Sequence, residues 1–434
     1  MAGLSRRLAL YYRRIGPPDV YATWRCVVID KNYAGRGCVA LLRTQPDTVL
    51  DDYRRLLKLA NYEASLDQSR PTLLKINISW QQWYPACSTA PWQLEGTVRT
   101  LLEDGYRDLI AAHNRTVVVD AYVGERNNKH KLVTDKYGLR NVHLYEPEVE
   151  WVRYEPKAPM LVLDDVYPDG IYVPGIFFDK NIVQMPTVKT HVFTTITGAM
   201  KNAFGGLLSE RRHWTHAVIH ETVVDLLAIQ QEIHSGLFAV MDGTFAGDGP
   251  GPRAMWVDQK DLILASADQV AIDAVSAYLQ GFEPLDLPFI RLAHERGLGV
   301  GDIKQIEILG DVDPDEVRWH ARTGETFASR GQKMIYHGAL KPLEGFLLRT
   351  PLVPWSFAAS RAYYDGFWYP FIGNRRVQEA LRTPWGQLFQ EYGNVPAITR
   401  PLYEPRTAAA GVLGLAASGL ALWWLLGRGR RNRS

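Results

Sequence analysis

A lysine, a threonine and a histidine stand side by side at Lys189, Thr190 and His191. They follow the apolar run Asn181–Met185, which predicts a buried strand, so we expect Pro186–His191 to form the loop that leaves it. In open α/β sheets, ligands bind beyond the carboxyl ends of the strands. An ammonium, a hydroxyl and an imidazole in such a loop suit proton transfer and the binding of an anion. Lys189 and His191 are therefore candidate catalytic residues, and Thr190 is a candidate ligand-binding residue.

More residues suited to a phosphate or carboxylate ligand lie on either side of this loop. Lys75 and Asn77 follow an apolar run far upstream, and Lys201 and Asn202 come shortly downstream. Gly205 would let the backbone approach a ligand closely, because glycine has no side chain. Most lysines are solvated surface residues, and that alternative stays open here. Their position among Gly, Thr and Asn residues favours an anion-binding site.

Two aspartates could complete the site. Asp242 comes directly after the apolar run Phe238–Met241 and is expected at the carboxyl end of a strand, where it would be catalytic. Asp248 and Gly249 lie in a stretch rich in glycine and proline, which either wraps a ligand or simply turns the chain. The prolines remove backbone donors and exclude a P-loop. Carboxylates at these positions could bind a divalent cation or accept a proton beside the lysines.

Three histidines form a weaker candidate site for a metal ion. His216 and His220 are four residues apart and His213 lies one turn earlier, so a helix would place all three on one face. Three imidazoles could hold zinc. The zinc-protease pattern is not met, because Glu221 follows the second histidine of the pair. We expect proton transfer or anion binding by His213 or His216 instead, and we predict no metal site.

The elements that must position these residues alternate along the chain. Short apolar runs and helical patterns take turns up to residue 310, which predicts an α/β fold with a mixed or mostly parallel sheet flanked by helices. The predicted strands are Cys26–Asp30, Thr72–Ile76, Thr116–Asp120, Met160–Leu163, Asn181–Met185, Phe238–Met241, Leu262–Ala265 and Gln305–Leu309. The predicted helices are Thr48–Ala60, Trp92–Asp104, Thr222–His234, Ala267–Leu279 and Leu287–Glu295.

Beyond residue 310 the alternation fades into helical patterns interrupted by prolines. Within this region, the aromatic-rich stretch Leu340–Tyr369 suits either a membrane interface or packing onto the main domain. The expected organisation is a basic N-terminal segment at 1–20, the α/β domain at 21–310, a helical appendage at 311–406, a transmembrane helix at 407–427 and a basic tail at 428–434.

The predicted transmembrane helix contains the uncharged run 408–427. As a helix this run would be roughly 30 Å long, which is the thickness of a bilayer core. Trp423 and Trp424 close it and arginines follow, as is typical where a spanning helix ends. A buried core helix is the alternative. We expect a single-pass C-terminal anchor with the body in the cytoplasm, because no apolar signal region follows the N-terminal arginines. A stripe of small residues from Ala410 to Ser418 would allow a homodimer.

Composition and charge exclude several classes of protein. The 434 residues carry 49 Lys and Arg against 47 Asp and Glu, and the basic excess is concentrated at the two ends. The body is therefore acidic, which argues against a nucleic-acid partner. Hydrophobic residues make up 46%, as in globular proteins, which excludes a disordered chain. The three cysteines, Cys26, Cys38 and Cys87, favour a reducing compartment and cannot supply a four-cysteine iron–sulfur cluster.

The order of the motifs resembles the domain of unknown function 362 (DUF-362) family, over roughly residues 70–310. The segments that carry the resemblance are Lys75-x-Asn77, Pro186-x-x-Lys189-Thr190-His191, Lys201-Asn202-x-x-Gly205, Asp242-Gly243, Gly247-Asp248-Gly249-Pro250 and Asp268-x-x-Ala271-x-Asp273. The resemblance implies an α/β fold. Many members carry a ferredoxin-like domain with cysteine-ligated 4Fe-4S clusters, but the cysteines here lack that spacing. No built-in iron–sulfur cluster is therefore expected, and any electrons would come from an external redox partner.

Together these patterns favour a membrane-anchored enzyme that acts on an anionic small molecule in a redox or cofactor-related pathway. Lys75, Lys189 and Lys201 would bind the anion. The alternative is a non-catalytic, membrane-tethered binding or assembly protein whose polar loops hold structure or a partner. A zinc hydrolase built on the three histidines ranks last.

Overall fold

The structure is a computed structural model that describes residues 33–114, 119–336, 338, 341 and 359–398. Its strands are β1 Cys38–Arg43, β2 Thr72–Ile76, β3 Leu109–His113, β4 Arg140–His143, β5 Trp151–Tyr154, β6 Ile171–Pro174, β7 Asn181–Met185, β8 Thr187–His191, β9 Thr195–Ile196, β10 Gly236–Asp248, β11 Trp256–Ser266 and β12 Glu307–Gly310. Its α-helices are α1 Val49–Leu59, α2 Pro91–Glu103, α3 Ala121–Asn127, α4 His130–Lys136, α5 Leu163–Val166, α6 Ala199–Asn202, α7 Phe204–Leu207, α8 Ile219–Ile233, α9 Gln269–Leu279, α10 Pro288–Glu295, α11 Pro314–Val317, α12 Phe327–Tyr336, α13 Asn374–Leu381 and α14 Pro384–Glu391.

Within these residues, ten strands form one sheet in the order β12-β1-β11-β10-β7-β2-β3-β4, with β8 beside β10 and β9 beside β8. Neighbouring strands are parallel except where β11 meets β1 and β10 and where β9 meets β8. The predicted α/β fold with a mostly parallel sheet is confirmed. The carboxyl ends of β7, β2, β3 and β4 consequently lie along the same edge, where ligands bind in sheets of this kind.

Both faces of the sheet are buried, as parallel sheets require. Along β1, Val39 and Leu41 face one apolar core, which also contains buried residues of α8, α9 and α10. Ala40 and Leu42 face the other core, which is formed with α1, α2, α13 and α14. The C-terminal helices therefore share a core with the sheet.

Several predicted elements are shifted or replaced. Met160–Leu163 was expected as a strand, but α5 begins at Leu163. The buried Asp225 carboxylate accepts hydrogen bonds from the backbone N–H groups of Leu161, Val162 and Leu163, which ties this segment to α8 instead of to the sheet. A strand was predicted at Thr116–Asp120, but the strand that pairs with β2 is β3, which comes earlier in the sequence. Residues 115–118 lie outside the described residues.

The segment Pro186–His191 is mostly strand, which corrects the expected loop. Backbone pairing places Thr187 beside Asp242 and Lys189 beside Gly247. The expectation that Asp242 ends its strand is wrong as well, because β10 continues to Asp248. Pro186 separates β7 from β8. Lys189, Thr190 and His191 therefore lie on the short strand β8, which follows β7 directly.

The described part of the appendage is helical. It contains α12, a π-helix at Ala362–Gly373, α13 and α14. Tyr364 and Trp368 of the π-helix are buried against Trp80 of the main domain. None of the helices within the described ranges is long and apolar enough to cross a bilayer. The predicted anchor at 407–427 and the basic segments at 1–20 and 428–434 lie outside the described residues, as does the predicted strand Cys26–Asp30.

Candidate functional site

Three lysines form the centre of the candidate site, and we call Lys75, Lys189 and Lys201 the lysine cluster. Lys75 is 2% exposed at the end of β2, Lys189 is 1% exposed on β8, and Lys201 is partly buried on α6. The positive charge of Lys189 lowers the pKa of Lys201, as expected for neighbouring cations. The fold thus gathers residues that are far apart in the sequence.

Within the described ranges, the ammonium groups of the lysine cluster have only neutral partners. Lys75 Nζ donates to the carbonyl oxygen of Ile76 at 2.9 Å. Lys189 Nζ donates to Thr187 Oγ1 at 2.5 Å and to Asn77 Oδ1 at 3.2 Å. Lys201 Nζ lies 5.5 Å from the centroid of the Phe204 ring. Among the described residues, no carboxylate lies within ion-pair distance of these three ammonium groups. A buried charge without a counterion is costly, and a bound anion would offset that cost.

Burial shifts the proton affinity of all three lysines. It lowers the pKa of Lys75 to about 7, assisted by the nearby Arg212 guanidinium. It lowers the pKa of Lys201 to about 7, with Lys189 and Arg212 adding to the effect. Burial lowers the pKa of Lys189 only to about 8, because Cys87 and Asp242 act in the opposite direction. The lysine cluster can therefore exchange protons near neutral pH, and a bound anion would favour the charged forms.

Amide and hydroxyl groups fix the surroundings of the lysine cluster. Asn202 donates its side-chain N–H groups to the carbonyl oxygen of Lys75 at 2.8 Å and to Gln184 Oε1 at 2.9 Å. The backbone N–H of Asn77 donates to Thr89 Oγ1 at 2.9 Å. These contacts join α6, β2 and β7. Asn202 and Asn77 thus hold the lysine-bearing elements together.

Two glycines allow α7 to pack against the lysine cluster. A β carbon on Gly206 would come within 2.8 Å of Lys75 Cε. A β carbon on Gly205 would come within 3.0 Å of Asn114 Oδ1, at the end of β3. The backbone at Gly205 approaches the Asn114 side chain closely, and the backbone at Gly206 approaches Lys75 more closely still.

His191 is close to the lysine cluster and is electrically neutral. Burial holds its pKa well below the ordinary value, and Lys201 adds to the shift. Its Nδ1 atom accepts hydrogen bonds from the backbone N–H groups of Phe193 at 3.2 Å and Thr194 at 3.4 Å. Since Nδ1 accepts, the proton of the neutral ring sits on Nε2. His191 can therefore donate a hydrogen bond to a ligand through Nε2.

Asp242 is saturated with hydrogen bonds. Its Oδ2 atom accepts from Tyr53 Oη at 2.8 Å and from Trp92 Nε1 at 2.9 Å. Its Oδ1 atom accepts from the backbone N–H of Thr244 at 3.2 Å and from Thr244 Oγ1 at 2.8 Å. Burial raises its pKa to about 6. Asp242 thus fastens α1 and α2 to β10, and it acts on the lysine cluster by raising the pKa of Lys189.

Asp248 and Gly249 stabilise the loop that begins where β10 ends. Asp248 accepts hydrogen bonds from the backbone N–H of Arg322 at 2.8 Å and from its Nε at 2.9 Å. The Gly249 carbonyl oxygen accepts from Thr190 Oγ1 at 2.9 Å. Gly249 has a φ of 89° and its β carbon would meet the Trp256 ring at 2.5 Å, so glycine is required there. Gly249 is thereby linked to Thr190, the neighbour of Lys189.

The three histidines do not share one face. Residues Glu210–Val218 form a 3₁₀-helix, so the spacing of an α-helix does not apply to them. His216 stacks on Tyr336 at 5.3 Å between ring centroids, whereas His220 stacks on Phe289 at 6.1 Å. In the part of the chain that the structure describes, no group of three or more His, Cys, Asp or Glu residues could hold a metal ion. The fold therefore does not bring His213, His216 and His220 together as ligands of one metal.

Sequence reasoning missed two residues that shape the site. Arg212 is buried and lowers the pKa of both Lys75 and Lys201. Asp273 on α9 accepts hydrogen bonds from the backbone N–H groups of Ala199 at 2.6 Å and Met200 at 3.1 Å, and so positions α6. The Arg211-Arg212 pair and the spacing Asp268-x-x-Ala271-x-Asp273 were visible in the sequence, but neither indicated a contact with the lysine-bearing segments.

The lysine cluster lies within the region that comparisons with known proteins identify. Residues 72–278 match the family described as Domain of unknown function (DUF362). This match confirms the resemblance to that family over residues 72–278, which run from β2 into α9, and the expected range beyond 278 lies outside the match.

The chain is also similar to part of a curated protein. The thylakoid-associated protein of Synechocystis sp. is 24% identical over 152 residues, which cover 30% of this chain and 47% of that protein. The chain thus spans about half the length of this curated relative. No solved structure matches the chain.

A surface cleft of about 500 Å³ lies away from the lysine cluster. It runs between α1, α2, α4 and α14, and its lining includes Thr48, Arg99, Lys136 and Tyr392. It contains none of the predicted site residues. Its lining contains both acidic and basic side chains, so it lacks the one-sided charge of the lysine cluster.

Proposed function

We propose that the lysine cluster binds a small anionic molecule and that the protein is an enzyme acting on it. The observation that carries the proposal is the burial of Lys75 and Lys189, with Lys201 beside them, without a carboxylate partner among the described residues. Phosphate and carboxylate groups are the ligands that ammonium groups bind best in proteins. The neutral donor His191 and the amide of Asn77 would complete the binding groups.

The same groups suit proton transfer to or from the bound anion. A catalytic acid or base works best with a pKa near the working pH, and burial brings Lys75, Lys189 and Lys201 into that range. Lys189 is the proposed proton donor, the neutral His191 would donate a hydrogen bond from Nε2 to the reacting group, and Asp242 would act through its effect on Lys189. In a redox or cofactor-related pathway, the electrons would come from an external partner protein.

The test uses inorganic phosphate, pyrophosphate and citrate as probes for the detergent-purified full chain. Calorimetric titration should show at least one of them binding, and Lys189→Met or Lys201→Met should abolish that binding without lowering the melting temperature much. Lys157→Met is the matched control, because Lys157 is exposed. A large loss of stability with anion binding intact would contradict the proposal.

We further propose that residues 407–427 anchor the protein in a membrane, with the body on the cytoplasmic side. The uncharged length of the run and its flanking tryptophans and arginines support this proposal. The name of the Synechocystis relative states a thylakoid association for that protein. Resistance to carbonate extraction would support the anchor. A body that protease cleaves only after spheroplasts are lysed would support the cytoplasmic orientation. The small residues from Ala410 to Ser418 would pair two anchors into a homodimer.

The second candidate function is a non-catalytic, membrane-tethered binding or assembly protein. Exposed aromatic side chains on the appendage, such as Phe371, favour it because they could contact a partner. Native mass spectrometry of the purified chain separates the two functions. A stoichiometric protein partner without a bound small molecule would favour assembly, whereas a bound anion would favour the enzyme.

A further inference from the structure

The π-helix Ala362–Gly373 carries an exposed apolar ridge, which we define as Phe367, Phe371 and Ile372. Phe371 is 74% exposed, Phe367 is 52% exposed and Ile372 is 37% exposed. Large apolar side chains are uncommon at such exposures when they are clustered. Three of them within six residues therefore mark a surface that contacts something less polar than water.

The apolar ridge is ordered along the helix. The rings of Tyr363 and Phe367 lie 6.1 Å apart between centroids, and those of Phe367 and Phe371 lie 5.6 Å apart. Steps of four residues keep these rings on one side of a π-helix, in which hydrogen bonds join residues five apart. The ridge is consequently a continuous strip rather than scattered exposed residues.

The neighbouring side of the π-helix, which carries Tyr364 and Trp368, is fixed to the main domain. Tyr364 and Trp368 are buried, and their rings lie 6.4 and 5.9 Å from the ring of Trp80. Trp80 Nε1 donates to Asp365 Oδ1 at 2.6 Å, and Arg361 Nε lies 3.1 Å from Asp365 Oδ2. These contacts prevent the ridge from rolling inward, so it is presented outward by a rigid support.

The path of the chain indicates what covers the apolar ridge. The π-helix packs against α13, and α13 packs against α14, after which the described chain ends at Ile398. Eight residues separate Ile398 from the predicted spanning segment at 407–427. Extended, they would reach roughly 30 Å at most. A bilayer that holds this segment would therefore lie close to the helices that carry the ridge.

Charge next to the apolar ridge fits a lipid surface. Arg375 follows Phe371 by four residues, and 82% of its side chain is exposed. Its contact with Glu379, at 3.4 Å, is a surface ion pair of little energetic weight. An arginine at the border of an aromatic strip can reach lipid phosphates while the rings enter the headgroup region.

We propose that the apolar ridge docks onto the surface of a lipid bilayer, with Phe367, Phe371 and Ile372 among the headgroups and Arg375 at the phosphates. This contact would fix the orientation of the body relative to the membrane. The inference rests in part on the proposed anchor, because the anchor brings a bilayer within reach.

The test places a photoreactive group on the apolar ridge. The full chain, with Phe371→p-benzoylphenylalanine, is reconstituted into liposomes of phosphatidylcholine and phosphatidylglycerol, irradiated and analysed by mass spectrometry. Tyr172→p-benzoylphenylalanine is the matched control, because Tyr172 is 45% exposed on the β5–β6 hairpin, whose buried residues belong to the opposite core. Lipid adducts several-fold more abundant at position 371 than at position 172 are expected.

Three outcomes would overturn the docking proposal: crosslinks from position 371 to a second copy, crosslinks to another segment of the same chain, or no excess of lipid adducts over the control. Carbonate extraction of the same liposomes separates this proposal from the anchor. If the chain resists extraction but forms no lipid adducts at position 371, the anchor proposal stands and the docking proposal is wrong. If the chain is extracted but forms the adducts while bound to the liposomes, the docking proposal stands and the anchor proposal is wrong.

Discussion

The ammonium nitrogen of Lys189 lies 3.2 Å from Oδ1 of Asn77, across 112 positions of sequence. This contact joins β8 to the loop that follows β2, two strands that are not neighbours in the sheet. It brings together two predicted binding residues around a charge whose hydrogen-bond partners, in the part of the chain that the structure describes, are neutral. The buried ammonium groups of Lys75 and Lys189, which have no carboxylate partner among the described residues, affect both stability and anion binding.

Removing one buried ammonium should alter the dependence of stability on pH. Burial lowers the pKa of Lys75 to about 7, whereas an unfolded lysine titrates near about 10.4. Between these values the unfolded chain binds more protons, so Lys75 makes the free energy of unfolding rise with pH, by at most about 1.4 kcal/mol per unit. Below the folded pKa both states are charged and this contribution is flat. Lys75→Met should therefore have its largest stability advantage at or below about pH 7 and lose it progressively toward about pH 10.

Chemical unfolding of the detergent-purified chain at several pH values, without phosphate, measures this difference. Lys157→Met should run parallel to the wild type, because Lys157 is exposed. Equal pH slopes for Lys75→Met and the wild type would show that Lys75 is not desolvated. Anion affinity of the wild type should also fall as pH rises above about 7, because Lys75 and Lys201 lose their protons near that pH and Lys189 loses its proton at about pH 8.

Adding a methyl group at Gly206 should displace Lys75. The new β carbon would approach Lys75 Cε to 2.8 Å, so the lysine or α7 must move. Gly206→Ala should cost about 1–3 kcal/mol of stability, as overpacking usually does, and weaken phosphate binding. Gly331→Ala on α12 is the control, since nothing lies within 4 Å of the position that its methyl group would take. Unfolding and calorimetric titrations of both variants decide the matter, and normal phosphate binding by Gly206→Ala would contradict the packing argument.

Asp273 should position the site without touching the anion. Asp273→Asn leaves one of the Ala199 and Met200 N–H groups facing an amide donor, so we expect a loss of about 1–3 kcal/mol. Because α6 carries Lys201, phosphate affinity should fall several-fold as well. Asp313→Asn is the matched control at an exposed helix start, where Asp313 Oδ1 accepts from the N–H of Asp315 at 2.9 Å. If Asp273→Asn lowers stability but binds phosphate normally, Asp273 does not position Lys201.

The Tyr53 hydroxyl should matter for stability and not for ligand binding. Tyr53→Phe removes one of four hydrogen bonds to Asp242, and a hydrogen bond to a charged group contributes about 1.5–3 kcal/mol. The pKa of Asp242, already raised by burial to about 6, should rise further. Tyr172→Phe, on an exposed tyrosine, should change neither quantity. At about pH 8, where Asp242 stays ionised and still acts on Lys189, phosphate titrations should give wild-type affinity for both variants. A loss for Tyr53→Phe would place Asp242 closer to the ligand than its contacts indicate.

Local patterns in the sequence were sufficient to predict most of the long helices and two central strands. Val49–Leu59 and Ile219–Ile233 lie within a few residues of their predicted bounds, and Thr72–Ile76 and Asn181–Met185 match theirs. Their signals are apolar periodicity for the helices and short continuous apolar runs for strands buried on both faces. The candidate lysines could be selected for the same reason, since residue type and neighbours are visible along the chain.

Which of those residues share an environment depends on the folded chain. Thr187–His191 forms a strand because β10 continues past Asp242 and pairs with it, which no local pattern shows. Asp242 looked available in the sequence, yet hydroxyl and indole groups from α1 and α2 saturate it. Burial, desolvation and charge proximity depend on contacts between residues that are distant in sequence, so the altered pKa of Lys75 arises only once the chain has folded around it.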